Sequence, residues 1–115
     1  MNITERSIGR VVVLDIEGRL DGKDGDALFE RVSALAEKGR PNIVLNLANV
    51  RRVDSTGVGA LVSCHKELAQ RGGELKLLAV SKTLKELLDR TRLLPVFKTH
   101  ETEIEAIASF TKAPP

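Results

Sequence analysis

The side chains most able to do chemistry lie together between Asp54 and Gly59. This segment, Asp54-Ser55-Thr56-Gly57-Val58-Gly59, follows an apolar run and opens a helical apolar pattern. Backbone N–H groups at the start of a helix lack intrahelical acceptors, and the helix dipole is positive there. The hydroxyl of Ser55 or Thr56 would therefore lie where a phosphate is favoured. Gly57 and Gly59 would leave room for the phosphate donor, because they carry no Cβ.

The same residues have two plainer interpretations. Asp54 or Ser55 could serve only as an N-cap. A cap alone does not require two glycines, each of which costs up to about 1 kcal/mol in a helix relative to alanine. The Gly57-Val58-Gly59 sequence is also similar to the start of a dinucleotide fingerprint. Val62 replaces the third glycine of that fingerprint and no acidic residue ends the next strand, which argues against it.

The remaining candidate residues favour structural roles. Cys64 and His65 are neighbours, and adjacent helical residues point about 100° apart, so they cannot form a nucleophile–base pair. We expect a small buried thiol at Cys64 and a packed, hydrogen-bonded core histidine at His65. The carboxylates near Asp21 lack the ligand spacing of a calcium loop, and Lys76 is predicted to be a surface charge. These patterns predict neither an enzyme nor a metal site.

Strand-like and helix-like apolar patterns alternate along the chain. Strands are predicted at residues 3–8, 10–17, 43–47, 74–80 and 96–97. Helices are predicted after the 19–25 loop, after Asp54, after Ser81 and after Thr102. The first two strands are expected to be antiparallel with Gly9 at their turn. The later order predicts an α/β fold, a mixed and mostly parallel sheet of four to five strands with about four helices packed against it.

Topology predicts that two distant loops meet. Asp21 follows the strand at residues 10–17, and Ser55 follows the strand at residues 43–47. Parallel strands joined by right-handed crossovers send these loops out at the same edge of the sheet. We therefore expect Asp21 and Ser55 to be near neighbours on one surface.

Length and composition limit the function classes. The 115 residues suffice for one domain, predicted over residues 1–112 with a frayed tail at 113–115. A net charge of +2 and only three aromatic residues argue against direct nucleic-acid binding. The N-terminus lacks an apolar signal segment, and no apolar run approaches the roughly 18 residues of a membrane span. With a single cysteine, Cys64, the composition favours a cytoplasmic protein without membrane insertion.

The Asp54 to Gly59 segment resembles the Asp-Ser-Ser/Thr-Gly-Leu-Gly signature of anti-sigma factor antagonists of the STAS superfamily. The resemblance extends to Gly18-Arg19-Leu20-Asp21 and to Gly72-Gly73-Glu74, and so covers essentially the whole chain. It implies a single STAS-like domain. Two positions depart from the family pattern: Asn46 stands where Asp is usual, and Arg19 where Glu or another polar residue is common. Both departures bear on which partner is recognised.

The resemblance implies a regulatory protein and not an enzyme. Ser55, with Thr56 as second choice, would be phosphorylated by a serine kinase that is also the anti-sigma factor. The kinase would supply ATP, so the chain itself would need no cofactor. The unphosphorylated form, a monomer or weak dimer, would bind the kinase and release the sigma factor, and a serine phosphatase would reset the phosphorylated form. The implied partner-binding residues are Asp21, Asp54, Ser55, Thr56, Gly57, Val58 and Gly59.

Two other function classes stay open at the level of sequence. A STAS-type subunit of a membrane lipid or solute transport ATPase complex would use the same fold, with the hydroxyls of the Asp54 to Gly59 segment in a structural role. A small nucleotide-binding protein would use the glycines of that segment to approach a phosphate.

Overall fold

The structure is a computed structural model that describes residues 1–110, which form a five-stranded sheet with helices on both faces. The strands are β1 (Asn2–Ile8), β2 (Val11–Leu20), β3 (Asn42–Val53), β4 (Glu74–Leu78) and β5 (Lys98–His100). The helices are α1 (Lys23–Glu37), α2 (Ser55–Gln70), α3 (Lys82–Arg90) and α4 (Glu103–Ala108), with a 3-10 turn at Leu94–Val96. The tail predicted at residues 113–115 and the end of the predicted domain lie outside the described residues.

The strands follow chain order across the sheet. β1 pairs antiparallel with β2 through the turn at Gly9, which has a φ of 60°. The pairs β2–β3, β3–β4 and β4–β5 are parallel. The prediction of a mixed, mostly parallel α/β sheet is therefore confirmed. No helix within residues 1–110 is long and apolar enough to cross a membrane.

The two faces of the sheet bury different amounts of apolar surface. Alternate residues of β2 and β3, such as Leu14 and Leu45, point into the larger core beneath α1, α2 and α3. Their neighbours, such as Val13 and Val44, point to the opposite face, where α4 covers them through Ala106. Both sets are fully buried, which explains why these strands read as continuous apolar runs.

Several boundaries differ from the predicted ones for identifiable reasons. The strand predicted at residues 43–47 continues to Val53, because its polar second half keeps pairing with β2 after the covering helices end. The first helix begins at Lys23, inside the predicted 19–25 loop, because Gly25 belongs to its first turn and packs closely on Ala60. The predicted strand at residues 96–97 lies instead at β5, since Pro95 sits in the 3-10 turn.

Lys76 was expected at the surface and is buried. Its side chain is only 3% exposed, with Nζ 3.5 Å from the Glu74 carboxylate and 4.8 Å from the centre of the Phe110 ring. The β4 alternation places Lys76 on the sheet face that Phe110 covers, so the charge is satisfied within the protein.

A polar network ties the edge of the sheet to α4. Arg6 Nε donates to Asp15 at 2.6 Å, and the same guanidinium contacts Glu103. Asn46 Nδ2 donates to Asp15 at 2.8 Å, which gives this departure from the family pattern a structural role. The hydrogen bond from Arg6, with a further one from Asn46, lowers the pKa of Asp15 below its ordinary value of 3.8. The Asp15 carboxylate thus connects β2 to β1 and β3, and Arg6 extends this network to α4.

Removal of this carboxylate tests the network. Folding lowers the pKa of Asp15, so the stabilisation that its carboxylate contributes is fully present above pH 3.8. That stabilisation is lost as the pH falls through the lower pKa of the folded state. We expect Asp15→Asn to lower the free energy of unfolding by about 1–2 kcal/mol at pH 7. Urea denaturation at pH 7 and at pH 2 should show the difference from wild type shrinking in acid. Asp89→Asn, at an exposed site on α3, is the control, and an Asp15→Asn deficit of equal size at both pH values would contradict the assignment.

Candidate functional site

The site is built where β3 ends and α2 begins. Asp54 has an extended backbone (φ −103°, ψ −176°) and caps the helix, accepting a hydrogen bond from the Gly57 N–H at 2.9 Å. Its own carbonyl accepts from the Val58 N–H at 3.0 Å. The cap fixes Ser55 as the first helical residue, so the predicted helix start is confirmed.

Ser55 and Thr56 are both exposed at this helix terminus. Their backbone N–H groups belong to the first turn and have no acceptor one turn earlier in the helix. An anion placed on either hydroxyl would face these groups and the positive end of the α2 dipole. The geometry can therefore accommodate a phosphate without melting the helix.

The two glycines of the segment have different roles. A Cβ placed on Gly57 would lie 2.1 Å from the carbonyl oxygen of Leu20, whereas a Cβ on Gly59 would meet nothing within 4 Å. Gly57 therefore allows α2 to approach the end of β2, and only Gly59 is open at the surface. Val58 is 4% exposed and packs in the larger core. Gly57 and Val58 are buried beneath the site, and the residues of the segment exposed at the surface are Ser55, Thr56 and Gly59.

Asp21 lies at the same end of the sheet as Ser55. This end, where the carboxyl ends of β2 and β3 meet the starts of α1 and α2, is called the Ser55 pole. Leu20 is opposite Val53 in the parallel β2–β3 register, and adjacent strands lie about 4.8 Å apart. The next residues along the two strands, Asp21 and Asp54, therefore leave the sheet side by side, as the topology predicted. Asp21 is half-buried, and its carbonyl accepts from the Asp24 N–H at 2.9 Å as α1 begins.

A groove between α1 and α2 is lined by Thr56 of the segment, and sequence reasoning missed its α1 side. It is lined by Gly22, Gly25, Asp26, Phe29, Thr56, Gly59, Ala60 and Ser63. The signal for this side was Gly25, which the sequence analysis placed in the 19–25 loop and which lies in α1. A Cβ there would lie 2.9 Å from that of Ala60, so this glycine allows the helices to pack closely.

Cys64 takes the buried structural role predicted for it, whereas His65 is less buried than predicted and contacts Phe97 instead of lying in the core. Cys64 is fully buried, and burial, together with the nearby charge of Glu67, raises the pKa of its thiol to about 12. His65 is half-buried, with its ring edge against Phe97 at a centroid distance of 5.9 Å. A thiol that stays protonated at neutral pH cannot act as a nucleophile.

Comparison with known proteins gives a consistent result. The STAS domain family model matches residues 2–106. An anti-sigma-B factor antagonist of Staphylococcus aureus is 32% identical over 106 residues, which cover 91% of this chain and 98% of that protein. An anti-sigma F factor antagonist of Paenibacillus polymyxa is 28% identical over 98 residues, which cover 84% of each chain.

A solved structure shares the whole architecture. The Bacillus cell fate determinant SpoIIAA in its phosphorylated form superposes with a TM-score of 0.75 at 26% identity, covering 95% of this chain and 99% of that one. The fold is therefore shared over nearly the full length of both proteins.

The glycine pair offers a matched test of the site's construction. Gly57→Ala should lower the free energy of unfolding by about 1–3 kcal/mol, because the new methyl group overlaps the Leu20 carbonyl. Gly59→Ala should raise it by about 0.5–1 kcal/mol, because alanine is the better helix former and meets no neighbour. Chemical denaturation of both variants measures these changes, and equal effects at the two positions would refute the separate roles.

Proposed function

Because the chain belongs to the STAS domain family, we propose that it is an anti-sigma factor antagonist controlled by phosphorylation of Ser55. In this proposal the unphosphorylated chain binds an anti-sigma factor serine kinase and frees the sigma factor. Phosphorylation of Ser55 ends that binding, and a serine phosphatase restores it. The chain is a regulatory protein with no catalytic role, and the kinase supplies the ATP.

One observation carries the proposal. An exposed serine hydroxyl stands at the first position of α2, directly after the capping Asp54. It does so in a chain that matches anti-sigma factor antagonists over most of its length. A kinase needs an accessible hydroxyl whose phosphorylated form the fold tolerates, and Ser55 satisfies both requirements. Thr56 is also exposed and is the second choice.

The switch follows from local electrostatics. A phosphate on Ser55 adds about −1.5 to −2 charge at neutral pH. The carboxylates of Asp54 and Asp21 leave the sheet beside it, so the pole becomes strongly negative. A partner that accepts the neutral hydroxyl would meet added bulk and like charge at the centre of its contact.

The folded core should not respond to this change. The phosphate would lie at the favourable end of the α2 dipole, outside the packed residues that begin at Gly57. The output of phosphorylation is therefore a change of surface charge and not a refolding of the domain.

Phosphorylation by the kinase tests the acceptor. Incubation with an anti-sigma factor kinase that the chain binds and labelled ATP should label wild type and Thr56→Ala, and leave Ser55→Ala unlabelled. Both variants remove one exposed hydroxyl from the same helical turn, so they are matched in position. If Ser55→Ala is labelled and Thr56→Ala is not, the acceptor is Thr56. If none of the three proteins is labelled, the proposed switch is rejected.

A charge mimic separates binding from stability. Ser55→Asp should weaken kinase binding about tenfold or more, because it places a carboxylate where the partner docks. Its free energy of unfolding should change by less than about 1 kcal/mol, since the site is an exposed helix terminus. Ser55→Asn has the same shape without the charge and should bind more tightly than Ser55→Asp. Calorimetric titration and thermal unfolding give the two readouts, and unfolding of Ser55→Asp would contradict an exposed site.

A further inference from the structure

Two arginines lie opposite each other just before the candidate site. Arg19 of β2 and Arg52 of β3 are register partners in the parallel pair, and both side chains are exposed. Residues that face each other across neighbouring strands have closely spaced side chains. The sheet therefore presents two positive charges side by side.

An irregularity in the pairing creates this juxtaposition. Gly18 is opposite Val50 and Arg19 is opposite Arg52, so Arg51 is left out of register. Without that shift, Arg19 would face Arg51. Bulges of this kind re-aim side chains and occur beside functional sites.

The fold does not neutralise these charges. Within residues 1–110, the cations that form ion pairs are Arg6, Arg31, Arg71, Lys76 and Lys98. Neither Arg19 nor Arg52 has an ion pair or a side-chain hydrogen bond in this part of the chain. Like charges that face each other across two strands destabilise a sheet. The fold therefore gains no stability from this arginine pair.

The pair lies next to Ser55 at the carboxyl ends of β2 and β3, where Arg52 lines a cleft with Ser81 and Leu84 at the start of α3. The following residues, Leu20 and Val53, point into the larger core. Because side chains alternate along β2, Arg19 points away from the core beneath α1 and α2. Asp21 and Asp54 follow one residue later along the two chains, so positive and negative residues are adjacent at the end of the sheet that carries Ser55.

We propose that Arg19 and Arg52 form a cationic strip that docks an acidic segment of the protein partner binding at Ser55. This inference rests on the proposed function and adds the chemistry of the partner's surface. Guanidinium groups pair with carboxylates through two parallel N–H bonds, and arginine is enriched at protein interfaces. With Asp21 and Asp54 following in the chain, the strip brings both signs of charge to this end of the sheet, which favours one orientation of the partner. An excess of only two positive charges over the chain disfavours a polyanion as the occupant.

The test measures association with a recombinant anti-sigma factor kinase that wild type binds. The variant carries Arg19→Ser and Arg52→Ser, and the control carries Arg10→Ser and Arg90→Ser. Arg10 lies in the β1–β2 turn and Arg90 at the end of α3, both exposed and at the opposite pole. Both proteins lose two positive charges, so only the position differs.

We expect the strip variant to lower the association rate constant about tenfold at low ionic strength, with the difference fading as salt screens the charges. The control should associate at the wild-type rate, and the melting temperature of the strip variant should equal or exceed that of wild type. Stopped-flow binding across a salt series and thermal unfolding provide these readouts.

Each other outcome overturns the inference in a distinguishable way. Kinase binding that is equal for wild type and the strip variant would reject the strip and leave the proposed function intact. A kinase that binds no form of the chain would reject both. A lower melting temperature of the strip variant would show a structural role. Binding of anionic vesicles, duplex DNA or a second copy that only the strip variant loses, with kinase binding unchanged, would identify a different occupant.

Discussion

The contact between the Leu20 carbonyl and Gly57 sets the geometry on which the site depends. A Cβ at position 57 would lie 2.1 Å from that oxygen, so only glycine lets α2 begin against the end of β2. This approach holds the first turn of α2 beside the loop that carries Asp21. The same turn is closed by Asp54, whose carboxylate accepts the Gly57 N–H. One backbone contact therefore positions the hydroxyls of Ser55 and Thr56, their cap and the neighbouring strand end together.

The candidate site combines buried residues that hold α2 in place with exposed residues at the strand ends. Beneath Ser55, the buried residues Val58 and Leu61 anchor α2 in the larger core. Next to it, the side chains of Arg19 and Arg52 at the carboxyl ends of β2 and β3 are exposed. Such side chains can change with little cost in stability, because surface substitutions typically alter it by less than about 0.5 kcal/mol. The geometry at the start of α2 can thus be kept while exposed residues such as Arg19 change.

The opposite face of the sheet is held by different forces. α4 is short and buries little apolar surface, and the charged network of Arg6, Asp15 and Glu103 connects its start to β1 and β2. The partly exposed network is coupled to pH through the Asp15 carboxylate. The start of α2, which carries Ser55, packs on the larger core. Acid that weakens the Asp15 network therefore acts first on the packing of α4, on the opposite face of the sheet.

The sequence by itself determined the α/β order, the antiparallel first hairpin and the helix that opens at Ser55, because these follow from apolar period, turn residues and caps. It also placed Asp21 and Ser55 at one pole, since parallel crossovers have one hand. The tertiary structure decided that Gly57 is a packing residue, that Gly25 lies inside α1, that Lys76 is buried and that Arg19 faces Arg52. Each of these depends on what another element places beside the residue. Pairing register and close backbone approach are set between distant parts of the chain, and local sequence carries no direct record of them.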